Sequence, residues 1–332
     1  MSKICTGQCG LLLPLESFEK QDGKYYRNVC KVCRWKLYKE RINSNMNTFL
    51  KKIVSDAKGN SIHRRKVGRD AAGEFSITLD DLVDIHVKQK GLCYYSGIEY
   101  VMKQKSDWQC SLERLDPDKG YIPDNVVLVV LELNCASQWS LDKIKEFKRL
   151  LQIEHDTQTI DFYETFSQKK KEKWVRLKVD GVDCILCNGC KETKPETDFL
   201  KKLVQKGCSK CRAKRRVDHK NTPRGHMISL LAHMRHSTKD RNEKGRNHDD
   251  PEYEYDSLIK LWEYQKGLCA YSGIPMTFGN YTKTEWVCSA ERLDNSKGYI
   301  KGNVCLICHE FNTGGYSGWS KEKVDVIRNC LT

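Results

Sequence analysis

Apolar positions fall three and four residues apart in some stretches and form short β-branched runs in others, and the series occurs twice. Phe49, Leu50 and Ile53 mark one helix face, and Leu79, Leu82, Val83 and Val87 mark another over 79–90. Thr78 stands just before the second face with Asp81 three residues on, which predicts a capped start. Short strands are predicted around Cys110–Leu115 and Val126–Val130, joined by Asp-Pro-Asp-Lys-Gly turn chemistry, with a closing helix near Asn134. The second half follows suit. Met227, Ile228 and Leu231 predict one helix, and Leu258, Ile259, Leu261 and Trp262 another over Asp256–Lys266. Asp-Asn-Ser-Lys-Gly supplies the turn. Strand, turn, strand, helix is a ββα order.

The parallel extends to identities. Gly-Leu-Cys-Tyr-Tyr-Ser-Gly-Ile from Gly91 returns as Gly-Leu-Cys-Ala-Tyr-Ser-Gly-Ile from Gly267, and Cys110–Val126 returns as Cys288–Val304. Arg292 follows Arg114, Asn312 follows Asn134 and Cys208 follows Cys30 at one common offset of 178 residues. The chain therefore reads as a duplication, with modules at 1–155 and 180–332 and a linker at 156–179. The linker region holds Lys169, Lys170, Lys171 and Lys173, a run expected to be a solvated surface. The expected class is α+β: two tandem modules, each a zinc knuckle plus a ββα unit, forming a pseudo-twofold dimer in one chain.

Composition narrows the partners. Of 332 residues, 39% are hydrophobic and 31% charged, a globular balance, and no apolar run approaches the ~20 residues of a membrane span. Met-Ser-Lys-Ile-Cys at the start lacks the apolar core of a secretory signal. Net charge is +14, with 58 Lys and Arg against 44 Asp and Glu, which suits a polyanion, nucleic acid first. An odd count of 17 cysteines rules out complete disulfide pairing. Eight of them sit in close pairs: Cys5/Cys9, Cys30/Cys33, Cys187/Cys190 and Cys208/Cys211. That spacing predicts two structural zinc sites, closed to catalysis, in the reducing cytosol or nucleus. Cys184 is close enough to the second set to compete. Cys269, Cys288, Cys305 and Cys308 offer a further zinc set in the second module, where the first has only Cys93 and Cys110, with Val127 and Val130 in the remaining places.

The chemistry concentrates in Glu-Arg-Leu-Asp-x-x-Lys-Gly-Tyr-Ile-x-x-Asn, read from Glu113 and again from Glu291. With the preceding cysteine knuckle and helices, this pattern resembles the HNH (ββα-metal, His-Me finger) endonuclease superfamily, in the PacI-like branch where Asp/Glu-Arg replaces Asp-His. The resemblance covers most of each module and is specific over the core motif. It implies a metal-binding carboxylate at Glu113 and Glu291, with a second ligand at Asn134 and Asn312 on the closing helix. It implies a phosphate-holding arginine at Arg114 and Arg292, water activation by Tyr121 and Tyr299, and a loop brace at Asn125 and Asn303. Glu stands where that branch carries Asp, one methylene longer.

Elementary chemistry agrees in part. A carboxylate and an amide carbonyl are the oxygen donors that Mg2+ or Mn2+ takes. Arginine offers a planar fork to phosphate and cannot serve as a base. Tyrosine, with a reference pKa of ~10, needs nearby cations to act as one. The function implied is double-stranded DNA endonuclease, one active site per strand, leaving 5′-phosphate and 3′-hydroxyl ends, in a monomer acting as a pseudo-dimer. A branched-DNA resolvase or homing-type nuclease fits the same motifs, and so does a non-catalytic zinc-containing DNA- or RNA-binding protein. Arg34, Lys36 and Arg41, and Arg212, Lys214, Arg215 and Arg216, would anchor the DNA backbone. Trp139 and Trp319 are expected to pack the closing helices. His63, His86, His233 and His236 have no counterparts at matching positions, which predicts packed or solvated imidazoles, while His309 follows Cys308 and is a weak metal candidate.

Overall fold

A computed structural model describes the chain except residues 22, 135–138, 154–159, 164–174, 201–206, 247, 280–285 and 313–317. The linker lysines Lys169, Lys170, Lys171 and Lys173 lie outside the described residues. The chain is α+β, with small antiparallel sheets, and divides into two compact units, Met1–Arg149 with Thr313–Thr332 and Leu150–Asn312. Among the described residues no helix is long and apolar enough to cross a membrane.

In chain order the elements are β1 (Ser2–Ile4), β2 (Leu12–Pro14), β3 (Lys20–Gln21), β4 (Tyr25–Tyr26), α1 (Lys31–Ile42), α2 (Met46–Lys66) and α3 (Leu79–Lys88). Then come β5 (Cys110–Arg114), β6 (Val126–Val130) and α4 (Leu141–Leu151). The second series runs β7 (Arg176–Val179), β8 (Val182–Leu186), β9 (Thr193–Pro195), α5 (Ser209–Lys220), α6 (Pro223–Glu243), α7 (Tyr255–Tyr264), β10 (Cys288–Arg292), β11 (Val304–Cys308) and α8 (Lys321–Leu331). β5 pairs with β6 from Cys110↔Val130 to Arg114↔Val126, and β10 with β11 from Cys288↔Cys308 to Arg292↔Val304. Both hairpins therefore share one register.

Local chemistry sets the helix ends. The Asn45 side chain accepts the Thr48 N–H at 2.9 Å to start α2. Thr78 and Asp81 exchange hydrogen bonds in the capping box that the sequence predicts for α3. That helix stops at Lys88, two residues before the sequence reading, because Lys90 is left-handed at φ 56°. Val87, although within the helix, is exposed, and Gln89 makes the contact with the hairpin. Its amide donates to Leu128 O at 2.7 Å and accepts Leu128 N at 3.0 Å, acting as a one-residue strand on the edge of β6. Gln265 does the same to Leu306, at 2.8 Å both ways. These clamps satisfy the Leu128 and Leu306 N–H groups, which would otherwise be buried unpaired, and share the two carbonyls with Tyr94 N and Ala270 N.

The core of unit 1 gathers Leu50 and Ala57 of α2, Ile77, Leu82 of α3, Tyr121 and Val126. Every residue of β6 is buried, as is every residue of β11. One expectation changes. The closing helix does not begin near Asn134: β6 runs into a 3-10 turn, Leu131–Leu133, with Asn134 at its end, and α4 starts only at Leu141. Ser140 sets that start by accepting the Lys143 N–H. Asn312 likewise ends the 3-10 turn His309–Phe311. Both asparagines precede their helices rather than ride on them.

Unit 1 also contains α8, from the end of the chain. Its Lys323 Nζ meets Glu132 at 2.7 Å and Asp107 at 2.6 Å, and lies over the Trp108 ring. The Glu132 side chain is 1% exposed and that of Lys323 10%. Trp319 packs on Trp139, whose other neighbour is Phe147 of α4. Burial opposes charge on Lys323, yet Asp107 and Glu132 more than offset it and raise its pKa. Lys323→Met would leave Glu132 buried without its cation. We expect a loss of about 2–3 kcal/mol in urea unfolding, less than a fully enclosed pair because Asp107 is exposed. A raised lysine pKa contributes stability below its unfolded value, so the difference between wild type and variant should shrink at strongly alkaline pH.

Candidate active site and metal centres

Each knuckle forms where a turn delivers one cysteine pair and a helix start delivers the other. The Sγ atoms of Cys5, Cys9, Cys30 and Cys33 all lie within 4.8 Å of one another, and so do those of Cys187, Cys190, Cys208 and Cys211. Cys30 N and Gly7 N donate to Cys5 Sγ at 3.2 and 3.3 Å, and Cys208 N and Gly189 N to Cys187 Sγ at 3.2 and 3.4 Å. The Cys30 N–H leads in bringing Cys5 down to about 7. Burial opposes ionisation of Cys187, but N–H groups of Cys208, Cys190 and Gly189 outweigh it and bring it to about 6. Cys33 accepts the Cys9 N–H, yet burial and three neighbouring thiols push it up to about 12. Four crowded sulfurs of this kind suit a tetrahedral zinc ion, which takes all four as thiolates. Cys184 is buried on β8 and is not one of the four.

The further set in the second module does not assemble. Cys305 and Cys308 lie three residues apart on β11, so strand alternation sends them to opposite faces. Cys308 pairs across the hairpin with Cys288, and Cys305 with Glu291. Among the described residues only the two knuckles gather three or more metal-binding groups, and His309 belongs to neither.

The turn after β5 is held from inside. Arg114 Nη1 donates to Pro117 O at 2.6 Å and Lys119 O at 2.7 Å. Asn125 accepts the Asp116 N–H at 2.9 Å and donates to Asp116 O and Gly120 O. Arg292 Nη1 and Asn303 repeat these bonds to Asn295, Lys297, Asp294 and Gly298. One difference separates the copies: Arg292 Nη2 also donates to Asn295 Oδ1 at 2.7 Å, where the first unit has Pro117.

The glycine before each tyrosine answers to space. A Cβ on Gly120 would meet Glu74 O at 2.1 Å, and one on Gly298 would meet Asp249 O at 2.4 Å. Tyr121 N donates to that same Glu74 carbonyl at 2.9 Å, which seats the ring. Arg114 lies 5.5 Å over the Tyr121 ring and Arg64, in the last turn of α2, 5.1 Å over it. Arg292 and Arg241, the latter from α6, lie 5.5 and 5.9 Å from the centre of the Tyr299 ring. Burial, then the neighbouring Arg64, lowers the pKa of Arg114; burial, then Arg241, does the same to Arg292. Arg64 and Arg241 escape the motif reading, since an offset of 178 sets Arg64 opposite Asn242. The helix pair is shifted by one residue against the flanking motifs.

No protein-family model, no curated protein and no solved structure matches the chain.

Glu113 is buried on β5 and Glu291 half-buried on β10, one residue before each arginine. Burial leads in raising the Glu291 pKa, partly opposed by Arg292 and Arg241. Asn134 Nδ2 donates to Ser111 Oγ at 2.9 Å and Leu112 O at 2.8 Å, on the strand that carries Glu113. Asn312 Nδ2 donates to Ser289 Oγ and Ala290 O at 2.8 and 2.9 Å. Both amide hydrogens are used, so each side chain turns its carbonyl oxygen away as an open acceptor. A carboxylate and an amide oxygen are donor types that a hard divalent cation takes.

On the knuckle helices, Arg34 is ion-paired with Glu19, so its charge is engaged within the fold. Lys36 and Arg41 are exposed. Trp35 is also exposed and stacks on Tyr38 at 5.5 Å, with Lys39 and Arg41 over the two rings, an arrangement with no counterpart on α5.

Two measurements test these geometries. Elemental analysis should find two zinc ions per chain, one in Cys33→Ser and none in Cys33→Ser with Cys211→Ser. Gly120→Ala, which forces backbone apart, should cost about 3 kcal/mol in urea unfolding, whereas Gly10→Asn, at φ 60° with open space around it, should cost far less.

Proposed function

We propose that the chain is a metal-dependent endonuclease acting on double-stranded DNA, with one hydrolytic site in each unit. The observation that carries this reading is a recurrence. Both units hold a carboxylate withdrawn from water, an amide oriented by its own hydrogen bonds, and a guanidinium pinned beside a buried tyrosine. A net charge of +14 supports a polyanionic substrate.

Glu113 with Asn134, and Glu291 with Asn312, would hold Mg2+ or Mn2+. The ion, when bound, offsets charge on the phosphate and on the departing 3′ oxygen. Arg114 and Arg292 hold the scissile phosphate with the part of the guanidinium that the turn leaves open. Tyr121 and Tyr299, as phenolates, would take the proton of the attacking water and become neutral phenols, and Asn125 and Asn303 keep the turn in shape around them. The two sites act on opposite strands of one duplex.

A single observation favours a rival. Nη1 of each arginine is spent on two turn carbonyls, a use that a purely structural residue would also make. On that reading the chain is a zinc-containing protein that binds DNA or RNA without cutting it.

Supercoiled plasmid with Mg2+ separates the two. Wild type should give linear product, Glu113→Ala or Glu291→Ala alone should give nicked circles, and the double variant should leave the plasmid closed while still retarding it in a gel. Cleavage by the double variant at the wild-type rate overturns the assignment of the carboxylates. Retardation without cleavage by wild type in either Mg2+ or Mn2+ establishes the rival.

A further inference from the structure

Arg64 and Arg241 stand outside everything the motifs assign. Each belongs to the last helical turn of its unit's longest helix, is half-buried, and lies over the tyrosine that the motif arginine touches from elsewhere. Among the described residues neither side chain makes an ion pair or a hydrogen bond, and Arg64 Nη1 is sealed from solvent without a partner. Two guanidinium groups thus share one phenol in each unit, with the acid of Glu113 or Glu291 close by. Such an excess of partly desolvated cation is unfavourable unless an anion completes it.

A helix C-terminus attracts cations, and an aromatic face attracts them further, so one arginine could be placed this way for stability alone. Repetition argues against that. Buried positions of α2 and α6 have diverged, from Ala57 and Ser61 to Met234 and Thr238, while the arginine has stayed and kept its ring contact. The partner that pairs of planar forks fit is a tetrahedral oxyanion, each guanidinium giving parallel N–H groups to two oxygens.

We propose that Arg64 with Arg114, and Arg241 with Arg292, form an oxyanion-binding pair around Tyr121 and Tyr299, and that the anion is a phosphate of the nucleic-acid strand being bound. The identity of the anion rests on the nucleic-acid reading above; the existence of the pair does not. The motif arginine is fixed by the turn, and the helix arginine closes on the phosphate from α2 or α6. Arg64 and Arg241 are thereby the residues that tie substrate to the helical layer of each unit.

The test uses the full zinc-loaded chain without Mg2+ and two probes, inorganic phosphate followed by thermal shift and a fluorescent DNA duplex followed by anisotropy over a range of salt. Arg64→Met with Arg241→Met should abolish the phosphate-dependent rise in Tm. It should also reduce the slope of log affinity against log salt by about 2, close to one per arginine removed, with Tm in phosphate-free buffer within a few degrees of wild type. Arg64→Lys with Arg241→Lys keeps charge but not the fork. It should hold the salt slope and lose most of the phosphate response, and in a parallel assay with Mg2+ added it should cut plasmid at least tenfold more slowly if wild type cuts at all. A phosphate response and salt slope equal to wild type in the Met variant overturn the pair, even when wild type cuts plasmid. Loss of the phosphate response in a chain that never cuts DNA upholds the pair and removes the nuclease reading alone. If the Met variant fails to fold, the Lys variant decides: an unchanged phosphate response and cleavage rate overturn the proposal.

Discussion

One guanidinium and one amide hold the turn on which each half of this molecule depends. Arg114 takes two carbonyls of the turn through a single nitrogen, and Asn125 takes the groups on either side of them, so all polar contacts of a sharp reversal are met from within. Because the turn is fixed, Tyr121 enters the core at a defined height and Glu113 leaves the strand at a defined angle. An arginine used this way is restrained by its own scaffold, and only the remaining edge of its fork is left to meet a ligand. The turn that Arg114 holds and the ring that packs beneath it link Glu-Arg to Gly-Tyr, and the two dipeptides recur together.

Much of this was legible in the chain. The duplicated motif located both hairpins, and the strand bounds of β6 follow directly from the β-branched run Val126–Val130. Thr78 and Asp81 announced the start of α3, and the paired cysteines announced both knuckles. The places where sequence reasoning went astray share a cause. Cys305-x-x-Cys308 looks like a metal pair only if the segment is a loop, and on a strand the same spacing divides the two across the sheet. Asn134 reads as part of a helix until Ser140 is seen to cap it later. Arg64 and Arg241 were hidden because a one-residue shift between repeats breaks the common offset, although helix geometry restores their equivalence in space. Motif spacing records what is adjacent in sequence, and these residues depend on what is opposite.

The two halves have kept the hairpin and diverged around it. Gln89 and Gln265 make the same clamp, and Gly120 and Gly298 the same close approach to a neighbouring carbonyl, whereas Pro117 has become Asn295 and Val127 has become Cys305. Changes at the rim of a fixed turn alter what the arginine can still reach without altering the turn. Asn295 occupies Arg292 Nη2, so Arg292 keeps fewer open donors than Arg114.

The long-range pairing of Glu132 has a consequence for how the chain comes into being. Its lysine lies 191 residues further along, so a ribosome adding ~5–20 residues per second leaves that carboxylate without its ammonium for roughly 10–40 s. During that interval Glu132 lacks its lysine, and Trp139 packs on Phe147 but not yet on Trp319. The pairing is completed only once α8 has emerged, so a segment made late closes a core begun by one made much earlier.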